Sequence, residues 1–163
     1  MRRGPPKLDA VPALVVDGDA HAARALQQML RGFGLASVAA AATGAQALNE
    51  LREGHFGLCI IDTVPDMPAA ALLRRIRALE PPVRAIPVLV LTGSSSLRGI
   101  ADARDAGAHL VVRKPLSPRV LLDRICWAVS VSRNFVEGGR YAGPDRRFRP
   151  AGPLSGPERR RPA

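Results

Sequence analysis

Residues 58–62, Leu-Cys-Ile-Ile-Asp, form a short apolar run that ends in a carboxylate. Gly57 precedes the run and Pro65 follows it. A run this short and this rich in branched side chains is typical of a strand that is buried on both faces of a parallel sheet. Asp62 then lies at the carboxyl end of the strand. Because ligands bind at that edge of open α/β sheets, Asp62 is the first candidate for a functional residue.

The same unit, an apolar strand followed by an amphipathic helix, recurs along the chain. Further runs predict strands at residues 11–16, 35–40, 86–91 and 110–112, and each is followed by a helical pattern of apolar residues. Crossovers between parallel strands are right-handed, so five such units predict an α/β fold. The expected architecture is a doubly wound five-stranded parallel sheet with helices on both faces.

Polar residues end four of the predicted strands. Asp17 and Asp19 follow the first strand and Asp62 the third, while Thr92 ends the fourth and Lys114 the fifth. All of them would lie on one rim of the sheet. Crowded carboxylates repel each other unless they share a cation, and oxygen ligands suit Mg²⁺. A carboxylate beside Mg²⁺, with a hydroxyl and an ammonium nearby, is equipped to accept a phosphoryl group.

The two residues that would contact the phosphoryl group each have a simpler explanation. Lys114 is one of only two lysines among 24 basic residues. Because the chain uses arginine almost everywhere else, a lysine at this strand end indicates a site that requires the compact ammonium group. The alternative is a solvated residue at the edge of the sheet. Thr92 is also a residue type that caps helices.

The length of 163 residues allows one domain with tails, and the formal net charge is +10. We predict a disordered lead at residues 1–9, the domain at 10–132, and a largely disordered tail at 133–163 that is rich in Gly, Pro and Arg. The tail holds eight arginines and three acids, which is half of the excess positive charge. No signal peptide or membrane span is apparent, so we expect a cytoplasmic protein.

The strand-end residues, in this order and spacing, resemble the receiver domains of bacterial two-component response regulators, the CheY-like fold, over roughly residues 10–132. The resemblance implies that Asp62 accepts a phosphoryl group from a histidine kinase or phosphotransfer protein. It also implies an acidic Mg²⁺ pocket that contains Asp17, and contacts of Thr92 and Lys114 with the phosphoryl oxygens. The matching segments are Val16-Asp17, Ile61-Asp62, Leu91-Thr92-Gly93 and Lys114-Pro115.

Three positions depart from the pattern of this family. Gly18 stands where a second acid usually follows the first, and Asp19 is displaced by one residue. The loop from Asp62 to Pro65 is one residue shorter than usual. Val111 stands where the family has an aromatic switch residue. These departures leave open a pseudo-receiver, which would keep the fold without being phosphorylated.

A five-residue motif occurs twice in the tail. Gly-Pro-Asp-Arg-Arg at 143–147 returns as Gly-Pro-Glu-Arg-Arg at 156–160. Arginine forks match phosphate and the O6/N7 edge of guanine, while a carboxylate accepts from the guanine N–H groups. Tyr141, just before the first copy, is an aromatic ring suited to stacking on a base. Two such units suit a small ligand with two guanines and two phosphates. A solvated basic tail that contacts anionic partners without specificity is the alternative.

This arrangement is similar to the arginine-rich C-terminal extension of CheY-like cyclic di-GMP effectors, which are known from motile and surface-attaching bacteria. The resemblance implies that cyclic di-GMP binds the two copies, and that the receiver docks on a flagellar or adhesion component. The matching residues are Tyr141, Gly143, Pro144, Asp145, Arg146 and Arg147, with Glu158, Arg159 and Arg160 in the second copy.

Together, these patterns predict a signalling adaptor and not an enzyme. The first interpretation is a single-domain response regulator in two-component phosphorelay signal transduction, with a protein contact as output and a tail that binds cyclic di-GMP. The second is a pseudo-receiver adaptor controlled only by cyclic di-GMP. The third, a protein that binds nucleic acid through its basic tail, depends on charge alone.

Overall fold

Each predicted apolar run contributes a strand to one parallel sheet in the computed structural model, which describes residues 6–93, 96–131 and 133–147. The strand order is β2-β1-β3-β4-β5. This confirms the predicted five-stranded α/β fold. The strands are β1 Ala13–Val16, β2 Val38–Ala41, β3 Leu58–Ile61, β4 Val88–Thr92 and β5 Leu110–Arg113.

A helix follows each strand, and four of the five helices begin at a side chain that caps the helix N-terminus. Thr43, for example, accepts a hydrogen bond from the backbone N–H of Gln46, which satisfies a donor that has no partner within the helix. In the part of the chain that the structure describes, no helix is long and apolar enough to cross a membrane. The helices are α1 Ala20–Gly32, α2 Gly44–Glu53, α3 Ala69–Arg77, α4 Leu97–Asp105 and α5 Pro118–Ser130, and the capping residues are Asp19, Thr43, Ser96 and Ser117.

The sheet is buried on both faces, as the continuous apolar runs predicted. Leu58 and Ile60 of β3 pack in a core cluster with α1 and α5. Cys59 and Ile61 pack in a second cluster with α2, α3 and α4. The parallel register pairs Val16 with Ile61, so the residues that follow β1 and β3 lie side by side at one edge.

A buried arginine fixes the connection from α4 to β5. Arg77, at the end of α3, is 2% exposed, and its Nε and Nη2 atoms donate to the carbonyl of Gly107 at 3.0 and 2.8 Å. Its Nη1 atom donates to the carbonyls of Arg84 and Ile86 at 2.8 and 2.9 Å. Among the described residues, peptide carbonyls and not a carboxylate satisfy this buried charge.

Two described segments are ordered within the predicted lead and the predicted tail. Residues Leu8–Ala10 form a short 3-10 helix, and Leu8 is 8% exposed in the core cluster of α1 and α5. In the tail, β6 Phe135–Gly138 and β7 Tyr141–Pro144 pair as an antiparallel hairpin. Gly139 provides the positive φ of +59° that the tight turn requires. The rest of the tail, from residue 148, lies outside the described residues.

The hairpin is attached to the domain by arginines and not by an apolar stripe. Arg84 bridges to Glu137 at 2.7 Å and stacks over the ring of Phe135 at 4.4 Å. A Cβ atom on Gly143 would lie 2.8 Å from the Cα of Gly107, so the two backbones are in close contact. Such an attachment leaves no apolar periodicity in the sequence, because its contacts are made by guanidinium groups and glycine backbone.

Candidate functional site

Asp62 and Lys114 meet at the carboxyl edge of the sheet. The Nζ atom of Lys114 lies 2.6 Å from Oδ1 of Asp62, and the side chains are 39% and 10% exposed. The backbone N–H of Asp62 donates to Val16 at 2.9 Å, and that of Lys114 donates to Thr92 at 2.8 Å. The ends of β1, β3, β4 and β5 are therefore joined around one carboxylate and one ammonium.

Asp17 is the second carboxylate of this edge and is 3% exposed. Its Oδ1 atom accepts a hydrogen bond from the backbone N–H of Asp19 at 2.9 Å. Burial raises the pKa of Asp17, and the neighbouring charge of Asp62 raises it further. The charge of Asp62 therefore acts on the buried carboxyl group of Asp17.

Asp19, the third metal-ligand candidate of the sequence, has one carboxylate oxygen engaged at the start of α1. Its Oδ1 atom caps α1 by accepting hydrogen bonds from the backbone N–H groups of His21 and Ala22 at 2.9 and 3.2 Å. These hydrogen bonds, led by that of Ala22, lower the pKa of Asp19. Asp19, one residue after the place where the family usually has its second acid, therefore caps α1.

The donor set suits a hard cation but is small. Asp17 and Asp62 supply carboxylate oxygens of the kind that Mg²⁺ prefers. Within the described ranges, no group of three His, Cys, Asp or Glu side chains is arranged to hold a metal ion. The oxygen ligands therefore suit Mg²⁺ chemically, and the side chains that supply them are the two carboxylates of Asp17 and Asp62.

Thr92 and Val111 occupy the positions that their spacing predicted. Thr92 is the last residue of β4 and pairs in register with Arg113 of β5. Val111 is half-buried in the middle of β5, three residues before Lys114. Thr92 is thus at the same edge as Asp62, and Val111 is a small aliphatic side chain where the resemblance implies an aromatic residue.

Asp66 belongs to the architecture of this edge, although sequence reasoning did not single it out. Its two carboxylate oxygens accept hydrogen bonds from the backbone N–H groups of Gly44 and Ala45 at 2.7 and 3.1 Å, which lowers its pKa. The loop after β3 is therefore fastened to the start of α2. The sequence signalled the start of α2, but it gave no indication of a partner so distant along the chain.

An apolar groove opens beside Asp62. Its volume is ≈590 Å³, and its walls come from α1, the end of β4 and the segment that joins β5 to α5. Asp62 and Lys114 contribute the charged groups of its lining. The apolar lining includes Leu26, Met29, Leu116 and Leu121.

In the tail, the first copy of the motif is held by contacts within the chain. Arg146 bridges to Asp105 at 2.9 Å, donates to the carbonyl of Arg104 at 2.8 Å, and stacks over the ring of Tyr141 at 4.1 Å. Tyr141 donates its hydroxyl to the carbonyl of Pro144 at 2.7 Å. The predicted ligand residues of this copy are thus brought together at the end of α4.

Asp145 and Arg147 complete the first copy. The backbone N–H of Asp145 donates to the carbonyl of Asn134, and its Oδ1 atom accepts from the backbone N–H of Arg147, both at 2.8 Å. The carboxylate therefore shapes the local turn. The predicted ligands of the second copy, Glu158, Arg159 and Arg160, lie outside the described residues.

The family model of the response regulator receiver domain matches residues 13–126, which include the four strand ends at the edge that holds Asp62 and Lys114. The chain belongs to this family. Receiver domains are the signalling domains of two-component systems, and they interact with histidine kinases or phosphotransfer proteins. Mg²⁺ is typically bound at their phosphorylation site.

Curated relatives and solved structures match the greater part of this chain. The chemotaxis protein CheY of Pseudomonas aeruginosa is 34% identical over 113 residues, 69% of this chain and 90% of CheY. The transcriptional regulatory protein ZraR of Escherichia coli K12 is 41% identical over 109 residues, 66% of this chain, but the match spans only 24% of ZraR. A CheY-like receiver domain from Methanospirillum hungatei has a TM-score of 0.67 at 30% identity, covering 74% of this chain and 94% of its own.

Proposed function

We propose that this chain is a response regulator of a two-component phosphorelay, in which Asp62 accepts the phosphoryl group and the output is a protein contact. The observation that carries the proposal is the 2.6 Å contact between Lys114 Nζ and Asp62 Oδ1, with the buried carboxylate of Asp17 beside it. The protein is a signalling adaptor and not an enzyme, and it acts in the cytoplasm.

The chemistry follows from the charges at this edge. An Asp62 oxygen attacks the phosphorus of a phosphohistidine on the partner, the new O–P bond forms, and the P–N bond breaks with its electron pair on the imidazole. Asp62 loses its charge in this step, so the Lys114 ammonium turns to the phosphoryl oxygens, which the Thr92 hydroxyl also binds. Asp17 and Asp62 would hold Mg²⁺, which neutralises negative charge during the transfer.

The apolar groove beside Asp62 suits the phosphoryl donor. Its aliphatic walls end at the carboxylate and ammonium, so an amphipathic helix of the donor could bury its apolar face there and present a histidine to Asp62. Docking and chemistry would then share one surface, formed by α1 and the segment after β5.

The acceptor is tested with beryllofluoride or acetyl phosphate in the presence of millimolar Mg²⁺. Amide NMR signals of Thr92 and Lys114 should shift in the wild type, and Asp62→Asn should abolish the shift. Asp102→Asn, which removes an exposed carboxylate of α4, is the matched control and should respond like the wild type. If the wild type does not respond, Asp62 is not a working acceptor.

For the tail, we propose that cyclic di-GMP binds residues of both motif copies. A cavity of ≈400 Å³ between the hairpin and the α4–β5 surface supports this proposal, because three arginines and a tyrosine are among the residues that line it. Guanidinium groups and an aromatic ring are what phosphate and a stacked base require. These residues are Arg104, Arg133, Arg146 and Tyr141.

Calorimetry with two dinucleotides tests this binding. Cyclic di-GMP should bind and cyclic di-AMP should not, because adenine has an amino group where the arginine fork expects O6. Asp145→Asn should weaken binding if guanine is recognised, although it makes the tail more positive. Equal binding of both dinucleotides, with a steep loss on added salt, would instead indicate a general attraction for anions, including nucleic acids.

A second function is favoured by Gly18, which stands where the family has an acid. In this alternative the domain is a pseudo-receiver adaptor that responds only to cyclic di-GMP and docks on a flagellar or adhesion component. A wild type that binds cyclic di-GMP but shows no response to beryllofluoride would support this alternative.

A further inference from the structure

Gly18 lies against the loop that follows β3. Its backbone N–H donates to the carbonyl of Thr63 at 2.8 Å, between the two carboxylate-bearing ends of β1 and β3. This is the position at which the family has its second acid. The space around Gly18 therefore decides whether a further carboxylate can join Asp17 and Asp62.

Pro65 fills that space. A Cβ atom built on Gly18 would lie 2.9 Å from Cδ and 3.1 Å from Cγ of Pro65. The next atom, the carbonyl oxygen of Ala42 at 3.5 Å, is at an ordinary contact distance. A flexible side chain could rotate away from a new Cβ, but the atoms of a proline ring are tied to the backbone. Only glycine fits at position 18 while this ring is in place.

The loop that carries Pro65 is held on both sides. Before the proline, the carbonyl of Thr63 accepts the Gly18 hydrogen bond, and after it the carboxylate of Asp66 binds the first N–H groups of α2. Met67 packs against Gly44, where an added Cβ atom would lie 2.8 Å from its sulfur. The loop therefore cannot retreat from Gly18 without breaking these contacts.

We propose that Gly18 and Pro65 form one steric unit that closes the third carboxylate position of the magnesium site. The inference depends on the proposed function in one respect, namely that Asp17 and Asp62 are the metal-holding carboxylates. The short loop brings the proline ring to position 18, and the glycine accommodates it. Neither substitution alone would admit a third carboxylate, and Asp19 has its Oδ1 atom engaged in capping α1.

A double-mutant cycle tests the unit, with Mg²⁺ binding followed by NMR or calorimetry. Gly18→Asp alone should leave the Mg²⁺ affinity within about twofold of the wild type and lower Tm, because the new Cβ collides with the ring. Pro65→Ala removes both colliding atoms and should not tighten binding alone. The double variant should bind Mg²⁺ at least about tenfold more tightly than the wild type, since a further carboxylate joins the site.

Controls separate the steric unit from the proposed function. Gly32→Asp with Pro65→Ala adds the same charge at a position with no atom within 4 Å of a new Cβ, and it should bind like the wild type. Adding Asp62→Asn to the double variant should remove the gained affinity. If the gain survives, Asp62 is not a ligand and the assignment of the site fails, while the steric unit stands.

The steric unit is overturned if Gly18→Asp alone gains as much affinity as the double variant, or if a folded double variant gains none. Gly18→Ala provides a test without metal, in case the charged variants do not fold. It should lower Tm when Pro65 is present and leave Tm nearly unchanged in the Pro65→Ala background. An equal loss of Tm in both backgrounds contradicts the contact.

Discussion

His109 should make the stability of this domain fall in mild acid. The residue is 9% exposed, and its Nδ1 atom lies 3.1 Å from Arg77 Nη2 and 3.2 Å from the backbone nitrogen of Val88. Both neighbours are donors, so Nδ1 must be an acceptor without a proton. Burial, followed by the charges of Arg77 and Arg133, lowers the pKa of His109 from 6.5 to about 3.

The sign follows from proton binding in the two states. Below its ordinary pKa of 6.5 the unfolded histidine takes up a proton, while the folded residue remains neutral until about pH 3. The unfolded state is therefore stabilised as the pH falls from about 7. Over the interval from pH 7 to pH 5, the folded state should lose about 2 kcal/mol through this one group.

Urea unfolding at pH 7 and pH 5 measures this loss. The control is His109→Asn, whose side-chain oxygen can accept the same hydrogen bonds but does not titrate. Asp17, whose raised pKa acts in the opposite direction, is common to both proteins and cancels in the difference. The wild type should lose about 2 kcal/mol more than the variant. Equal losses in the two proteins would refute the argument that His109 is held neutral.

Two further predictions concern the attachment of the hairpin. Gly143→Ala should undock it at a cost of about 1–3 kcal/mol, because the new Cβ would lie 2.8 Å from the Cα of Gly107. Hydrogen exchange of the hairpin amides measures the undocking, and Gly138→Ala, with no atom within 4 Å, is the control that should keep their protection. Asp105→Asn should tighten cyclic di-GMP binding by about two- to fivefold, because it releases Arg146 from an exposed ion pair. An unchanged dissociation constant in calorimetry would show that the ligand does not compete with this ion pair.

The edge that holds Asp62 and Lys114 could be predicted because it depends on a simple geometric rule. The carboxyl ends of parallel strands meet at one edge, so strands that end in Asp62 and Lys114 had to bring these side chains together. The order and spacing of the strand ends also matched a known family. The ion pair at 2.6 Å is the result.

Other features depend on contacts that no local pattern records. Gly18 and Pro65 were noted as separate departures from the family, and only the fold shows that they touch. Arg77 is the last residue of α3, whose apolar side chains are buried. The Arg77 side chain is buried as well, because its guanidinium binds carbonyls of the α3–β4 and α4–β5 connections. The hairpin was missed because its turn, Gly139-Arg140, and its attachment use glycine and arginine, which are also typical of disordered tails.

The turn after α4 limits how the tail could be moved to another protein. Gly107 has a φ of +102°, and a Cβ atom there would lie 2.6 Å from the carbonyl oxygen of Ala142. A receiver chosen as host for a grafted tail would need glycine at this turn, and an acid before it to replace Asp105. Receivers with a larger residue at this turn would keep their own fold, but the hairpin could not dock on them. A grafted tail would therefore dock only on receivers that have the same turn.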